Sequence, residues 1–248
     1  MVKLNCDGHE INILPERGAI ICSWTYNGKK IFLEDAHVLE APIIRGGMPI
    51  LFPLCGELED NTFMYKNKVY KLKRHGFARD CKWDVISVSF NTIVLQLKAS
   101  PKTYENYPFL FELTVQYVII ENELRVSSTV KNNSEVPMPY QIGFHPYFYT
   151  TSKEFSALAF NWDKEVTNIL PLKESVNLRT PDFHMMLTNI NGFDHAVLWS
   201  LSDMPFICIE PWLGKVGALQ STNCTYVLPN RKHRHDFVVS IGNSYNNE

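Results

Sequence analysis

The sequence lacks the features that would place it in a membrane or on a nucleic acid. No apolar run approaches the roughly 18 residues that a membrane-spanning helix needs. Met1 to Gly8 contain no apolar segment typical of a secretion signal. The formal net charge is −2, and no long block of like charges occurs. We therefore expect a cytoplasmic protein with no nucleic-acid and no membrane partner.

The cysteines are not spaced like metal ligands or a disulfide framework. None of them forms a C-x-x-C pair, so we expect free thiols that are reduced and mostly buried. The chain also lacks a P-loop, a dinucleotide-binding fingerprint, G-x-S-x-G and H-E-x-x-H. No carboxylate or cysteine lies at ligand spacing from His75 or His145 along the chain, so we expect no metal. The cysteines are Cys6, Cys22, Cys55, Cys81, Cys208 and Cys224.

Alternation of apolar and polar residues dominates the sequence and predicts β-strands. Residues 111–118 and 124–130 both alternate and are separated by a short polar turn, which predicts a hairpin. Residues 24–32 carry Asn27-Gly28 between two strand-like runs, which is the strongest short hairpin signal. Further strand pairs are predicted within residues 63–73 and 83–97.

Helical patterns are scarce, and nothing divides the chain into parts. Only residues 152–155 and 163–170 look capable of a helical turn or two. There is no linker rich in Pro, Gly or Ser, and no repeat of about 20–50 residues. Many short strands with turn residues between them are typical of an all-β fold, here a large antiparallel sandwich or barrel. We predict one domain over residues 1–248.

Two segments in the first third of the chain place polar side chains beside glycines. Arg45 precedes Gly46-Gly47, which indicates a sharp bend that holds a guanidinium beside a pocket. A structural arginine that binds loop carbonyls is the alternative. His75 precedes Gly76, which would allow close approach of a ligand. The alternative is a partly buried histidine without a function.

His145 lies in a segment rich in aromatic residues and is followed by Pro146. The proline favours extended backbone at His145 and so fixes the direction of its side chain. Neighbouring aromatic rings can stack on the C–H face of a sugar ring. Partial desolvation would keep the imidazole in the pKa range useful for proton transfer at neutral pH. An aromatic core cluster with one satisfied histidine is the alternative.

Glu210 ends an apolar run that reads as a strand over residues 206–210. In such a strand, Phe206, Cys208 and Glu210 share one face, and the other face is apolar as well. A carboxylate in this position must be paired, lie at a rim, or act in function. Desolvation would raise its pKa and make it a competent base at neutral pH. A rim glutamate, or one that accepts a backbone N–H, is the alternative.

Taken together, these segments resemble the aldose 1-epimerase (galactose mutarotase-like) superfamily, and they occur in its order from Arg45 to a final strand that ends near Ile241. The resemblance implies a galactose mutarotase-like β-sandwich that uses no cofactor. By this resemblance, the motif Gly143-Phe144-His145-Pro146-Tyr147-Phe148 supplies the catalytic acid, His145. Cys208-Ile209-Glu210 supplies the base, Glu210. His75 and Asp194 would contact the substrate.

One part of the pattern departs from the galactose-specific members of the superfamily. Those members carry Gly-Arg-x-x-Asn-Arg where this chain has Arg45-Gly46-Gly47-Met48-Pro49. The form found here is more similar to the hexose-6-phosphate mutarotase branch and its bacterial relatives. Arg45 and Arg79 correspond to the phosphate-contacting arginines of that branch. Residues 53–56 differ from the aromatic version that is typical of it.

The function predicted from the sequence is a mutarotase that acts on a free or phosphorylated aldose. Glu210 would act as general base and His145 as general acid. His75 and Asp194 would orient the substrate, and Arg45 and Arg79 would hold a distal hydroxyl or phosphate. The alternatives are a non-catalytic carbohydrate-binding or sensor protein on the same fold, and a structural sandwich used for protein contact. The expected partner is a small sugar or sugar phosphate, bound by a monomer or a homodimer.

Overall fold

Antiparallel strands make up most of the computed structural model, which describes residues 1–151, 166–172, 175–180 and 183–242. In that part of the chain there is a single α-helix, α1 (Pro101–Asn106), whose first turn is closed by a capping box from Ser100 to Thr103. In chain order the strands are β1 (Val2–Cys6), β2 (His9–Leu14), β3 (Ile20–Tyr26), β4 (Lys29–Lys30), β5 (Ile50–Leu51), β6 (Thr62–Tyr65), β7 (Lys68–Lys71), β8 (Asp84–Val88), β9 (Thr92–Lys98), β10 (Phe111–Ile120), β11 (Glu123–Asn132), β12 (Met138–Tyr140), β13 (Gly143–Phe144), β14 (Tyr147–Tyr149), β15 (Val166–Pro171), β16 (Val176–Arg179), β17 (His184–Asn191), β18 (His195–Ser200), β19 (Phe206–Trp212), β20 (Thr225–Val227) and β21 (Lys232–Gly242).

The strands form three main sheets and two short ribbons. A seven-stranded sheet has the order β16-β17-β21-β11-β10-β9-β8. A sheet of six strands has the order β15-β18-β19-β13-β5, with β14 also paired to β19. The first four strands form the third sheet in chain order, and the ribbons are β12-β20 and β6-β7. All-β architecture of this kind confirms the predicted large antiparallel sandwich.

The seven-stranded sheet follows the alternation in the sequence. Every second residue of β10 is buried, and β11 has the same pattern in the opposite phase. The buried side chains join a single large hydrophobic cluster with residues of the other two main sheets, from Leu4 to Ile241. Ring contacts such as Phe144–Phe237, at 5.1 Å between centroids, join the six-stranded and seven-stranded sheets. The prediction of a single domain over 1–248 remains a prediction, and a common cluster supports it.

The predicted hairpins are confirmed. The β10–β11 pair has continuous register from Phe111–Asn132 to Ile120–Glu123. Asn27 and Gly28 connect β3 to β4 with φ values of 48° and 75°, as a tight two-residue turn requires. The other predicted pairs correspond to β6–β7 and β8–β9.

The helical expectation for residues 163–170 is wrong over the part that the structure describes. Val166–Pro171 forms β15 and pairs along its whole length with β18. A single helical turn would be marginal alone, whereas the strand satisfies its backbone against a neighbour. Residues 152–155 and 163–165 lie outside the described residues.

The cysteines are free thiols, as the sequence predicts. All six cysteines are free; Cys6, Cys55 and Cys208 are buried, and the other three are partly buried. Fewer cysteines are buried than expected, because Cys22, Cys81 and Cys224 lie nearer the surface.

Within the described ranges, no helix is both long and apolar enough to cross a membrane.

Candidate active site

Strand register brings His145 directly opposite Glu210. Gly143 of β13 pairs with Trp212 of β19, and Tyr147 of β14 pairs with Cys208 of the same strand. His145 lies midway between Gly143 and Tyr147, and Glu210 lies midway between Cys208 and Trp212. Side chains of opposed residues in an antiparallel pair project to the same face. The two candidate proton-transfer groups are therefore cross-strand neighbours.

The six-stranded sheet separates the hydrophobic core from a cavity. Ile207 and Ile209 of β19 belong to the main core cluster on one face. On the other face the sheet lines a cavity of about 340 Å³, which is within the usual range for small-molecule sites. The sheet residues that line it are His145, Tyr147, Thr167, Ile169, Val197, Trp199, Glu210 and Trp212.

Loops complete the cavity wall and bring three arginines to it. Arg45 comes from the segment before β5, and Arg74, His75 and Arg79 come from the segment after β7. Five of the six residues singled out from the sequence thus line one cavity: Arg45, His75, Arg79, His145 and Glu210. The remaining wall residues are Ile43, Ile44, Gly56, Glu57 and Val216.

The His145 imidazole is buried and tightly held. It stacks on the Tyr147 ring with 4.6 Å between centroids and 7° between planes. Its Nε2 lies 3.4 Å from Glu210 Oε1, and its Nδ1 is buried without a hydrogen-bond partner among the described residues. Burial, together with the positive charge of Arg79, lowers the pKa of His145 to about 3. The imidazole is therefore neutral at pH 7 in the free protein, and the expectation that its pKa stays in the range useful for proton transfer at neutral pH is wrong, because burial is more complete than the sequence indicated.

Glu210 is a buried carboxyl group that accepts a hydrogen bond from a tryptophan side chain. Its side chain is 2% exposed, and Oε2 accepts a bond from the Trp212 indole Nε1 at 3.1 Å. Burial raises the pKa of Glu210 well above its usual range, while the Trp212 bond and the charge of Arg74 act in the opposite direction. Desolvation therefore favours an uncharged His145–Glu210 pair that holds a single proton on the carboxyl group.

The position of His75 is fixed by a loop with left-handed backbone and by a hydrogen bond from the backbone of Gly56. Both His75 and Gly76 have positive φ, at 67° and 70°. A Cβ at Gly76 would lie 2.2 Å from the Phe52 carbonyl oxygen. The expectation that this glycine admits a ligand is therefore wrong, since backbone occupies that space. Nδ1 of His75 accepts a bond from the Gly56 N–H at 3.1 Å, which leaves its Nε2–H as a donor.

Arg45 and Arg79 are placed differently in the wall. Arg45 is exposed, and its guanidinium lies 5.9 Å from the centre of the Trp199 ring. Arg79 is partly buried and donates from Nη2 to the Arg74 carbonyl oxygen at 3.1 Å. Among the described residues, the arginines that form salt bridges with carboxylates are Arg17, Arg125 and Arg234. Arg45, Arg74 and Arg79 are not among them. Three arginines therefore line the cavity without a carboxylate partner among the described residues.

Asp194 does not line the cavity with the other predicted residues. Its Oδ1 accepts bonds from the Gly214 N–H at 2.6 Å and from His195 Nδ1 at 2.7 Å. Its own N–H donates to the Trp212 carbonyl oxygen at 3.0 Å. In this arrangement the carboxylate fixes the chain that follows β19. A direct contact between Asp194 and a sugar stays a prediction.

Sequence reasoning did not single out four residues that shape the site. Tyr147, Trp199 and Trp212 lie on the cavity face of the six-stranded sheet, and Arg74 precedes His75. Two of them could have been found from strand alternation. Trp212 lies two residues after Glu210, and Tyr147 lies two residues after His145, so each shares a face with a predicted site residue. Trp199 could not be found in this way, because its place depends on the pairing of β18 with β19.

One group of side chains has the composition of a metal site. Ligand atoms of His145, Cys208 and Glu210 all lie within 4.8 Å of one another, and the three residues are buried. Cys208 precedes Glu210 on the same face of β19, so its thiol lies beside the pair.

Solved structures of similar proteins have this fold. The Slr1438 protein from Synechocystis sp. PCC 6803 superposes with a TM-score of 0.91 at 26% identity, covering 98% of this chain and 96% of the other. A galactose mutarotase related enzyme from Lactobacillus acidophilus superposes with a TM-score of 0.81 at 22% identity, covering 99% and 98%. The molecule is thus a β-sandwich of the galactose mutarotase-like type.

The chain belongs to the aldose 1-epimerase family, whose family model matches residues 7–243. It is also similar to the chromosomal protein LacX of Lactococcus lactis subsp. lactis, with 27% identity over 257 residues that cover 80% of this chain and 86% of LacX. Family membership makes it an isomerase of the epimerase type that acts on sugars.

Proposed function

We propose that the protein interconverts the α and β anomers of an aldose by general acid–base ring opening, with Glu210 as base and His145 as acid. The observation that carries this proposal is the opposed pair, with 3.4 Å between His145 Nε2 and Glu210 Oε1 at the cavity wall. The anomeric oxygen and the ring oxygen are both bonded to C1. A donor and an acceptor side by side can therefore face the two oxygens at once.

The pair carries one proton, which lies on Glu210 in the free protein and has to lie on His145 Nε2, 3.4 Å from Glu210 Oε1, when ring opening begins. Glu210 as carboxylate removes the proton of the anomeric hydroxyl, and the bond between C1 and the ring oxygen breaks. His145 as imidazolium gives its proton to the ring oxygen, which leaves an open-chain aldehyde. Rotation about C1–C2 and reversal of both transfers closes the other anomer. No net proton is taken up or lost.

Burial of the pair disfavours the charged state that begins ring opening and favours the uncharged state that follows it. Before ring opening the proposed pair is carboxylate and imidazolium, and afterwards it is carboxylic acid and neutral imidazole. A desolvated site favours the uncharged state. Burial raises the pKa of Glu210 and lowers that of His145, so both shifts favour the state that accompanies the open-chain sugar.

Aromatic and imidazole groups around the pair suit a sugar ring. The rings of Trp199 and Trp212 line the cavity, and such faces pack against sugar C–H groups. His75 lies 5.7 Å from both the His145 ring and the Trp212 ring and offers its Nε2–H to a hydroxyl. We assign His75 to substrate orientation. Asp194 would support the site by holding the segment after Trp212.

Three guanidinium groups favour a substrate that carries a phosphate. Arg45, Arg74 and Arg79 line the cavity, and guanidinium groups bind phosphate oxygens through paired donors. We therefore propose a phosphorylated aldose as the preferred substrate and a free aldose as the weaker one. A cytoplasmic location stays a prediction; six free cysteines are consistent with reducing surroundings.

Anomer exchange on a small set of sugars tests the proposal. Exchange NMR would compare glucose, galactose and glucose 6-phosphate with and without the protein. We expect faster exchange, largest for the phosphorylated sugar, and loss of that preference in Arg79→Gln. A protein that binds these sugars without accelerating exchange would instead be a carbohydrate-binding or sensor protein, and would contradict the proposed reaction.

A further inference from the structure

His145, Cys208 and Glu210 bring three different ligand types into one buried group. Their ligand atoms lie within 4.8 Å of one another. The spacing along the chain did not indicate this, because the group arises from the pairing of β14 with β19. Cys208 and Glu210 are two residues apart on one face of β19, and His145 is opposite Glu210. The strand pairing thus presents the three side chains together.

The distances suit a tetrahedral ion of the size of Zn²⁺. Zn–N and Zn–O bonds of about 2.0 Å place the two ligand atoms about 3.3 Å apart in a tetrahedral site. His145 Nε2 and Glu210 Oε1 are 3.4 Å apart. The thiol lies within 4.8 Å of both, and a Zn–S bond of about 2.3 Å requires it to approach them to about 3.5 Å. His145 and Glu210 line the cavity, and a fourth ligand can approach from there.

Charge and ligand chemistry select the class of cation. One thiolate, one carboxylate and one neutral imidazole together balance a divalent cation, so the complex is neutral in a desolvated site. Binding releases the thiol proton and the single proton of the His145–Glu210 pair. Thiolate and imidazole favour Zn²⁺ and similar soft cations, whereas Mg²⁺ and Ca²⁺ prefer oxygen ligands.

We propose that His145, Cys208 and Glu210 bind a soft divalent cation of the Zn²⁺ type, which reversibly blocks the pair that would act on the sugar. The affinity is limited, and exchange of the cation is favoured, because the stacked imidazole has no hydrogen-bonded partner on its other nitrogen within the described part of the chain. A metal-binding histidine usually donates its second N–H to an acceptor. His145 Nδ1 has no such partner among the described residues. Trp212 holds Oε2 of Glu210 and leaves Oε1 for the cation.

Calorimetric titration with Zn²⁺ tests the binding site without reference to activity. The variants are Cys208→Ala and, as matched control, Cys55→Ala. Both thiols are fully buried, and the charge of Glu210 raises the pKa of both after burial itself. Only Cys208 belongs to the ligand group. We expect equal Zn²⁺ affinity in the wild type and Cys55→Ala, and affinity at least about tenfold weaker in Cys208→Ala.

A spectroscopic probe identifies the ligand atom. With Co²⁺, a thiolate-to-metal absorption band should appear in the wild type and in Cys55→Ala and be missing in Cys208→Ala. Mg²⁺ at the same concentration should not compete. Equal Zn²⁺ affinity in all three chains, or an unchanged cobalt band in Cys208→Ala, would overturn the site. If Cys208→Ala does not fold, Cys208→Ser replaces it, since it keeps the size of the side chain.

The blocking effect rests on the proposed function and has its own readout. Zn²⁺ should slow anomer exchange in the wild type and in Cys55→Ala, and about tenfold more Zn²⁺ should be needed in Cys208→Ala. Zinc that binds through Cys208 without slowing exchange would overturn the blocking effect. A wild-type chain with Cys208-dependent zinc binding but no anomer exchange would contradict the proposed function and leave the metal site supported.

Discussion

At Glu210, one indole N–H opposes the effect of burial on the carboxyl group. Desolvation favours the protonated form, and the bond from Trp212 Nε1 to Oε2 favours the carboxylate. A base that is held fully protonated cannot accept the anomeric proton. The Trp212 bond is therefore expected to set how easily Glu210 reaches its charged form. It also fixes the direction of Oε1, which faces His145.

Replacement of this indole gives the first prediction at the scale of single residues. Trp212→Phe keeps an aromatic ring but removes the donor, and we expect anomer exchange to fall about tenfold. The reason is that a hydrogen bond to a charged group contributes about 1.5 kcal/mol or more. Exchange NMR measures the rate. Trp199→Phe is the control, since it leaves the Trp212–Glu210 bond in place; an equal loss in both variants would contradict the role of that bond.

Single residues were predictable from the sequence where local chemistry was unusual. His145 before Pro146 and Glu210 at the end of an apolar run both break the pattern of a sandwich core. Asp194 was chosen by resemblance, and it lies outside the cavity lining because its carboxylate binds Gly214 and His195. Local sequence could not reveal those partners, since they depend on the loop after β19.

At the scale of elements, the close approach of β13 to β19 holds the proposed site together. Gly143 lies opposite Trp212, and a Cβ there would lie 2.7 Å from Trp212 Cδ1 and 2.9 Å from Cys55 Sγ. Both distances are too short for a side chain at this position. Gly143 is therefore required by packing against the indole that binds Glu210.

The second prediction follows from this contact. Gly143→Ala should lower the free energy of unfolding by about 1–3 kcal/mol, as overpacking in a core does, and should slow anomer exchange by displacing Trp212. Urea unfolding and exchange NMR measure the two effects. Gly217→Ala is the control for the exchange rate, since no atom lies within 4 Å of a Cβ there. Its φ of 78° disfavours a side chain, so this variant loses stability through backbone strain alone. Wild-type exchange in Gly143→Ala would show that the contact does not position Trp212.

Elements were predictable where pairing is local. The β10–β11 and β3–β4 hairpins follow from alternation and from Asn27-Gly28, which act over a few residues. β15 was missed because its partner β18 lies far along the chain, and only that pairing makes a strand better than a helical turn. Long-range register has no local signal, yet it is what places His145 opposite Glu210.

Across the whole molecule, four buried histidines have pKa values lowered mainly by burial: His9, His75, His145 and His235. The unfolded chain therefore binds more protons than the folded chain once the pH falls below about 6.5. The stability that these four histidines contribute is fully present above that pH. It is lost as the pH falls toward their pKa values in the folded state. Glu210 acts in the opposite direction, because its pKa is raised by burial.

The third prediction is that the free energy of unfolding decreases between pH 7.5 and pH 5.5. Each histidine that stays neutral in the folded state contributes a slope of up to about 1.4 kcal/mol per pH unit below its unfolded pKa. Urea unfolding at several pH values measures the slope. His9→Gln should make it shallower, because one buried histidine no longer contributes to it. A stability that is flat or rises over this range would contradict the prediction.

The overall architecture was predictable because alternation repeats along most of the chain. What the sequence could not show is that one sheet has the core on one face and the cavity on the other. That division depends on which strands meet, as in the pairing of β18 and β15 that brings Val197 and Ile169 to the cavity wall. The resemblance to a family supplied the order of the site residues, and the register supplied their geometry.

The most direct test measures anomer exchange by NMR in Glu210→Gln, with glucose 6-phosphate and glucose as substrates. Glutamine keeps the size of the side chain but cannot accept the anomeric proton, so we expect the catalysed rate to fall at least about tenfold. His145→Asn should give a loss of the same kind, and Glu59→Gln, an exposed carboxylate outside the cavity lining, should keep the wild-type rate. Wild-type exchange in folded Glu210→Gln would contradict the assignment of Glu210 as the base.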